Sequence, residues 1–162
     1  TKMAIDNPTP VVHAVVRERR PVLLDEAGSD DEMERELFSA GELFEHVRDI
    51  MDPEHPYTLE QLKVITEEHI TVDDLKGKLR VEFTPTVMHC SMATLIGLCL
   101  RVKLMRCIPR RFKLDIFVSP GSHSSEAATN KQLNDKERVA AALENQNLLE
   151  MVNKCLSGVQ PE

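Results

Sequence analysis

The sequence has no tryptophan, one tyrosine and few aromatic residues of any kind, which make up 4% of its 162 residues. Proteins that hold single-stranded nucleic acid stack its bases on aromatic side chains, so this composition argues against such a platform. Basic residues are also in the minority, with 20 Lys and Arg against 27 Asp and Glu and a net charge of -7. Because contact with a phosphate backbone needs a concentrated basic face, the sequence predicts no direct nucleic-acid partner.

Long apolar runs are missing as well. No stretch approaches the roughly 20 apolar residues of a membrane-spanning helix, and the first residues lack the apolar core of a signal peptide. The four cysteines, at positions 90, 99, 107 and 155, form no CxxC pair and no regular framework. This spacing argues against a disulfide scaffold and favours a reducing compartment, so we expect a cytoplasmic and nuclear protein with no membrane partner.

The length fits one domain preceded by a tail. Residues 25–36 carry seven acidic residues against one arginine, and three prolines interrupt the chain before them. Such a segment buries too little apolar surface to offset the entropy of ordering it. We therefore expect a disordered tail over residues 1–36, a domain over 37–158 and a C-terminal tail over 159–162. A patch in the first tail is either part of a solvated leader or an added strand, and it consists of Val11, Val12, Val15 and Val16.

Capping residues and hydrophobic periodicity predict the first half of the domain. Ser39 and Glu42 form a capping box that opens an amphipathic helix ending near Met51. Alternating apolar residues then predict a hairpin, with strands over residues 64–72 and 79–84.

The second half begins with an apolar helix over residues 89–108 and a third strand over residues 112–118. Another capping box, Asn134 with Glu137, predicts C-terminal helices that break at Asn145. The fold class is α+β: a small mixed sheet packed against a buried central helix, with helices flanking it at both ends.

Cys90 lies at the centre of this plan, in the segment VEFTPTVMHCSMATLIG over residues 81–97. The segment predicts a strand, a sharp turn and the start of the most apolar helix. At the first turn of a helix, the macrodipole and the unpaired N–H groups favour a thiolate. Cys90 is therefore either a functional thiol or, as is common for free cysteines, a small buried hydrophobe.

The sequence argues against a zinc site and against a Cys-His enzyme site at Cys90. Cys90 and Cys99 project to opposite sides of a helix and cannot share a zinc ion, so we expect Cys99 in the core. His89 adjoins Cys90 and is a poor base for it, whereas His123 reaches it only if its Ser-rich loop folds over the turn. We keep both histidines as supporting residues and, since no cysteine-enzyme signature is present, predict that the protein is not an enzyme.

An iron-sulfur cluster is the third possibility. Clusters generally use four protein ligands, so a single thiolate needs a second copy of the chain, a partner or a small thiol to complete the set. At the other end of the helix, cations complement the helix dipole or receive an acidic partner. These cations are Arg101, Lys103, Arg106, Arg110, Arg111 and Lys113.

Three long motifs resemble a known family. DPEHPYTLEQL, FTPTVMHCSMATLIGLCLRVKL and NKQLNDKERVAAALEN are similar to the component-2 subunits of the cytosolic iron-sulfur assembly targeting complex, the MIP18-like proteins that share a domain with SufT-type proteins. The resemblance covers about residues 43–156. The DPEHP form, together with a diverged leader, resembles the B-type branch more than the A-type.

The resemblance implies a non-enzymatic adaptor that helps deliver iron-sulfur clusters to cytosolic and nuclear apoproteins. It implies a WD-repeat β-propeller subunit and a HEAT-repeat adaptor as partners, and a homodimer whose elements can exchange at hinges over residues 52–56 and 119–125. Cys90 corresponds to the reactive cysteine and a transient cluster ligand, with no stably bound cofactor. The family's acidic turn corresponds to Asp52 and Glu54, and its threonines before the cysteine to Thr84 and Thr86.

A purely structural bridge is the rival interpretation. In it Cys90 is incidental, and the C-terminal helices with Arg110 and Arg111 bind the propeller and the HEAT-repeat protein. This interpretation predicts that these two arginines contact a partner, so that reversing both to Glu abolishes assembly while changes at Cys90 have no effect.

Overall fold

A computed structural model describes residues 11–14, 38–86, 90–121 and 126–157, without the side chains of Cys90 and Ser91. Most of the predicted tail therefore lies outside the described residues, and the domain boundaries stay predictions. Within the N-terminal tail, residues 11–14 form no strand, and the His13 N–H donates to the Gln61 carbonyl at 2.7 Å. Val11 and Val12 are exposed there.

The described elements comprise a few strands and a larger number of helices, and three helices follow the last strand, which is typical of an α+β fold. In chain order they are α1 (Ala40–Val47), a 3-10 turn (Glu67–His69), β1 (Ile70–Asp73), β2 (Lys78–Phe83), α2 (Cys90–Cys107), β3 (Lys113–Val118), α3 (Glu126–Asn134), α4 (Lys136–Glu144) and α5 (Gln146–Leu156). The predicted fold class is confirmed. None of the helices in the described part of the chain has the length and apolar character that crossing a membrane requires.

The sheet has the order β1-β2-β3. β1 and β2 form the predicted antiparallel hairpin, while β2 and β3 run parallel, as the crossover through α2 demands. Alternate residues of the strands point into the core, so each strand buries one face. The core-facing residues of β2 and β3 are Leu79, Val81, Phe83, Leu114, Ile116 and Val118.

Helix α2 is buried over most of its length, as its continuous apolar sequence predicts. It contacts β3, α1, α3 and α5. Gly97 lets α3 approach closely, because a Cβ atom there would lie 2.5 Å from the side chain of Leu133. The helix is thus the central element on which these four elements pack.

Two predicted elements in the first half are wrong in extent. The capping box of Ser39 and Glu42 is present, but α1 ends at Val47 rather than near Met51, because the Met51 N–H donates to the Cys155 backbone carbonyl at 3.1 Å instead of continuing the helix. The strand predicted over residues 64–72 starts only at Ile70. Val64 is fully buried but lies in a turn, where its N–H donates to the Leu59 carbonyl at 2.9 Å.

The capping box predicted at Asn134 is also wrong. Asp135 caps α4 through its side chain, which accepts from the Glu137 and Arg138 N–H groups. Asn134 ends α3, a helix that periodicity does not predict. Its side-chain amide accepts from the Ile116 N–H at 2.9 Å and donates to the Ile116 carbonyl at 2.8 Å. The side chain therefore takes the place of a neighbouring strand at the free edge of β3.

Candidate functional site

The start of α2 lies beyond the ends of two parallel strands. β2 ends at Phe83, and the Thr84 hydroxyl donates to the Ser119 hydroxyl at 3.0 Å just past the end of β3. The Ser119 N–H also donates to the Phe83 carbonyl at 2.8 Å. These bonds hold the two strand ends together. In sheets with parallel strands, ligands generally bind at this carboxyl edge.

Cys90 is the first residue of α2, as the sequence predicts, and the first turn of the helix contains no acidic residue. Its backbone therefore lies at the positive end of an 18-residue helix. The side chain of Cys90 lies outside the described residues, and so does His89. Thr86 is half-buried shortly before it.

His123 also lies outside the described residues. The two described ends of its loop are joined, because the Gly121 N–H donates to the Glu126 carboxylate at 2.9 Å. Gly121 and Glu126, the described residues on either side, therefore lie close together near the end of β3.

The acidic turn serves a structural purpose that the resemblance does not reveal. Asp52 is 1% exposed, and its Oδ1 accepts from the N–H groups of Glu54 and His55 at 2.8 and 3.1 Å. This arrangement is an Asx turn that fixes the loop over residues 52–56. Glu54 is exposed. No described contact joins either carboxylate to the first turn of α2.

Burial leaves the other oxygen of Asp52 without a hydrogen-bond partner among the described residues. This desolvation raises the pKa of Asp52, against the lowering effect of the two backbone N–H groups. The carboxylate acts electrostatically on Cys99 and Cys155, in the middle of α2 and in α5. Asp52 thus belongs to the core.

Cys99 fills the core, as predicted, with 1% of its surface exposed. A hydrogen bond to the Cys155 thiol and burial raise the pKa of Cys99, so this thiol stays protonated and inert at neutral pH. Among the described residues, no three or more His, Cys, Asp or Glu side chains come together as metal ligands. Cys107 is half-buried at the opposite end of α2 from Cys90.

The two arginines predicted to bind partners differ in their surroundings. Arg111 makes an ion pair with Asp74, whose side chain is 7% exposed, and its guanidinium lies 4.3 Å from the centre of the Phe112 ring. It ties the loop before β3 to the hairpin turn. Arg110 is exposed, with no partner in the described part of the chain. Arg111 is exposed as well, so the difference is that its guanidinium already has a partner within the chain, whereas that of Arg110 has none among the described residues.

A cleft that the sequence does not predict lies beside these arginines. It has a volume of about 880 Å³ and is formed by the end of α2, the loop before β3, β3 and α4. Met105 is 61% exposed in it, and Ile108 and Leu143 are half-buried along its walls. Helical periodicity cannot find such a surface, because Met105 has the same apolar character as the core residues around it.

Comparison with known proteins agrees with the motifs. Residues 42–109 match the family described as iron-sulfur cluster assembly protein. The chain is 58% identical over 150 residues to Protein AE7 of Arabidopsis thaliana, which covers 93% of this chain and 94% of the relative. It is 53% identical over 153 residues to cytosolic iron-sulfur assembly component 2B of Mus musculus, covering 94% and 91% of the two chains.

A Drosophila melanogaster relative named MIP18 family protein galla-2 is 50% identical over 153 residues, with 94% of this chain and 96% of the relative covered. The identities extend over nearly the whole of both chains, and the name component 2B agrees with the predicted B-type branch. The chain therefore belongs to the MIP18 family of iron-sulfur cluster assembly proteins.

Proposed function

We propose that this protein is a non-catalytic adaptor of cytosolic iron-sulfur cluster assembly, in which Cys90 contributes one transient ligand to a cluster in transit. The likeness to cytosolic iron-sulfur assembly component 2B over 94% of this chain supports the pathway. The observation that carries the role of the cysteine is its position as the first residue of α2, beyond the joined ends of β2 and β3.

The cluster is cargo in this proposal. A cluster needs about four ligands, and the described residues provide no group of three. Cys90 supplies one ligand, and the remainder come from a client, another subunit or a second copy of the chain. The WD-repeat propeller, the HEAT-repeat adaptor and a homodimer belong to the same proposal, as does action in both cytoplasm and nucleus.

The proposal is tested by replacing Cys90 with serine, which has a similar size but binds iron weakly. Cys107→Ser is the matched control, since that residue lies at the other end of the same helix. In cells depleted of the endogenous relative, we expect Cys90→Ser to lower radioactive iron in a cytosolic client about tenfold, comparable with the losses seen when support for a metal ligand is removed. Cys107→Ser should load the client normally.

Two further measurements show whether the loss arises from chemistry or from assembly. Both variants should keep the thermal unfolding midpoint of the wild type and should copurify equally with the propeller subunit. Normal client loading by Cys90→Ser would contradict the role of the thiol. That result, combined with normal assembly, would favour the structural bridge, for which the exposed Arg110 and the adjoining cleft provide a surface.

A further inference from the structure

The cleft at the C-terminal end of α2 has an apolar interior and a basic rim. Its floor consists of Phe112, Leu114 and Val139, each at most 8% exposed, and Met105 forms its exposed side. The basic residues that line it are Arg101, Arg110, Arg111, Lys113 and Lys136. Asp115 is the only carboxylate that the described part of the chain contributes to the lining. The lining of the cleft is therefore positively charged, although the whole protein has a net charge of -7.

Arg101 shows that the positive charge is incompletely compensated. Its guanidinium donates to the Leu114 carbonyl at 3.2 Å and to the Asn134 side chain at 3.1 Å, both neutral acceptors. Its Nε–H is buried with no acceptor among the described residues, and burial lowers the pKa of Arg101 against the raising effect of the Asp115 carboxylate, which makes no ion pair with it. A half-buried guanidinium without an ion pair is costly, and a carboxylate brought into the cleft would offset that cost.

The apolar surface of the cleft demands a second feature of the ligand. Met105 is a flexible side chain that adapts to irregular partners, and it is one of few large hydrophobic residues exposed in the described part of the chain. Ile108, just after α2, and Leu143, in α4, present further half-buried apolar surface in the lining. A bulky apolar side chain inserted among these residues would be desolvated, as anchors at protein interfaces are.

From this complementarity we propose that the cleft docks an acidic segment of a partner protein, which inserts one bulky apolar anchor beside Met105 and places carboxylates against Arg101 and Arg110. The inference rests on the proposed adaptor function, since it assigns a docking surface to the adaptor. It requires nothing of Cys90, which lies at the opposite end of α2. Seventeen steps of about 1.5 Å separate the first and last residues of that helix.

The test uses the full chain and a fluorescein-labelled peptide in which Asp and Glu residues flank a central Leu-Phe pair. Two control peptides replace the Leu-Phe pair by Ser-Ser or the acidic residues by Lys. We expect the first peptide to bind and both controls to bind at least about tenfold more weakly, because each loses one half of the recognition. Amide chemical-shift changes should concentrate on the end of α2, on β3 and on α4.

Two surface variants place the site. Met105→Glu and Arg110→Glu should each weaken binding about tenfold. Their controls are Leu75→Glu, at a residue 94% exposed in the hairpin turn, and Arg106→Glu, an exposed cation of α2 that does not line the cleft. Both controls should bind like the wild type. Equal weakening by Arg106→Glu would reduce the effect to net charge and overturn the proposal, as would shift changes elsewhere on the molecule.

Other occupants give different results. Self-association that Met105→Glu abolishes would assign the cleft to a second copy of the chain. A second result would assign the cleft to this chain's own acidic segment. In it, replacing the acidic residues of positions 25–36 by serine changes the amide chemical shifts of the cleft residues without any peptide present. Either outcome overturns the proposal. Cys90→Ser should bind the peptide normally. If the peptide fails to bind the cleft, the client-loading test of Cys90 is unaffected, and if client loading proves independent of Cys90, the peptide test of the cleft is unaffected.

Discussion

The two ends of α2 differ in what they offer to another molecule. At the N-terminal end, Cys90 begins the helix beyond the joined ends of two strands, where the helix dipole is positive. At the C-terminal end, an apolar cleft with a basic rim opens between α2, β3 and α4. Between them the helix is buried on nearly all sides. One rigid element therefore holds two surfaces at a fixed separation, and each can be altered without touching the other.

The largest expected effect is on the free energy of unfolding, at Asn134 beside the cleft. Asn134→Ala removes both hydrogen bonds to Ile116 and one acceptor of Arg101. Because unpaired buried groups cost about 1 to 3 kcal/mol each, we expect the free energy of unfolding to fall by about 2 to 4 kcal/mol in urea titrations. Asn147→Ala, at an exposed position of α5, is the control and should change little. A loss below about 0.5 kcal/mol for Asn134→Ala would show that the Asn134 side chain does not protect the edge of β3.

A smaller effect separates the two neighbouring arginines at this end. Arg111→Met removes the ion pair with the nearly buried Asp74, so we expect the free energy of unfolding to fall by about 1 to 2 kcal/mol. Arg110→Met removes an exposed side chain and should change stability by less than about 0.5 kcal/mol, while still weakening peptide binding. Equal stability of both variants in thermal or urea unfolding would remove the distinction between a structural and a docking arginine.

The smallest effect concerns Asp52, which belongs to neither end. Burial raises the pKa of Asp52 in the folded protein. At pH values between the ordinary pKa of an aspartate and this raised pKa, Asp52 is therefore protonated in the folded protein but ionised in the unfolded chain. Its contribution to stability is therefore fully present below the ordinary pKa and falls as the pH rises through the raised one. Asp52→Asn keeps an oxygen acceptor and abolishes this titration.

The role of Asp52 is measured by the difference in the free energy of unfolding between Asp52→Asn and the wild type at each pH. Between about pH 4 and pH 7, the stability of Asp52→Asn relative to the wild type should rise with pH. Glu54→Gln, which removes an exposed carboxylate from the same turn, is the control for the loss of one negative charge. A falling difference for Asp52→Asn would mean that the buried carboxylate is stabilised as the anion.

The sequence predicts elements whose causes are local. Ser39 and Glu42 bond to each other's backbone, and the alternation in β2 and β3 follows directly from burying one face of the sheet. Helix α3 escapes prediction because its buried residues are only Thr129 and Leu133, and because its asparagines bond to a strand distant in sequence. Val64 is similarly misleading, since an apolar residue in a buried turn has the pattern of a strand.

In the candidate site too, features with local causes follow from the sequence, whereas features that depend on distant residues do not. The position of Cys90 at the start of a helix follows from the strand, turn and helix signals around it. The difference between Arg110 and Arg111 does not, because it depends on Asp74 in a separate hairpin. The role of Asp52 could have been found, since an Asp before a proline is typical of an Asx turn. The cleft required the positions of α2, β3 and α4 relative to one another.

If the two ends of α2 act independently, a change in the cleft leaves the reactivity of Cys90 unaltered, and thiol alkylation resolved by residue measures this. In the full chain at neutral pH, we expect Cys90 to react with iodoacetamide faster than Cys107, while Cys99 and Cys155, at most 1% exposed, stay protected. Met105→Glu should leave the Cys90 rate unchanged while weakening peptide binding about tenfold. Alkylation of Cys107 as fast as Cys90 would show that the start of α2 does not activate the thiol, and a Cys90 rate that changes with Met105→Glu would show that the two ends are coupled.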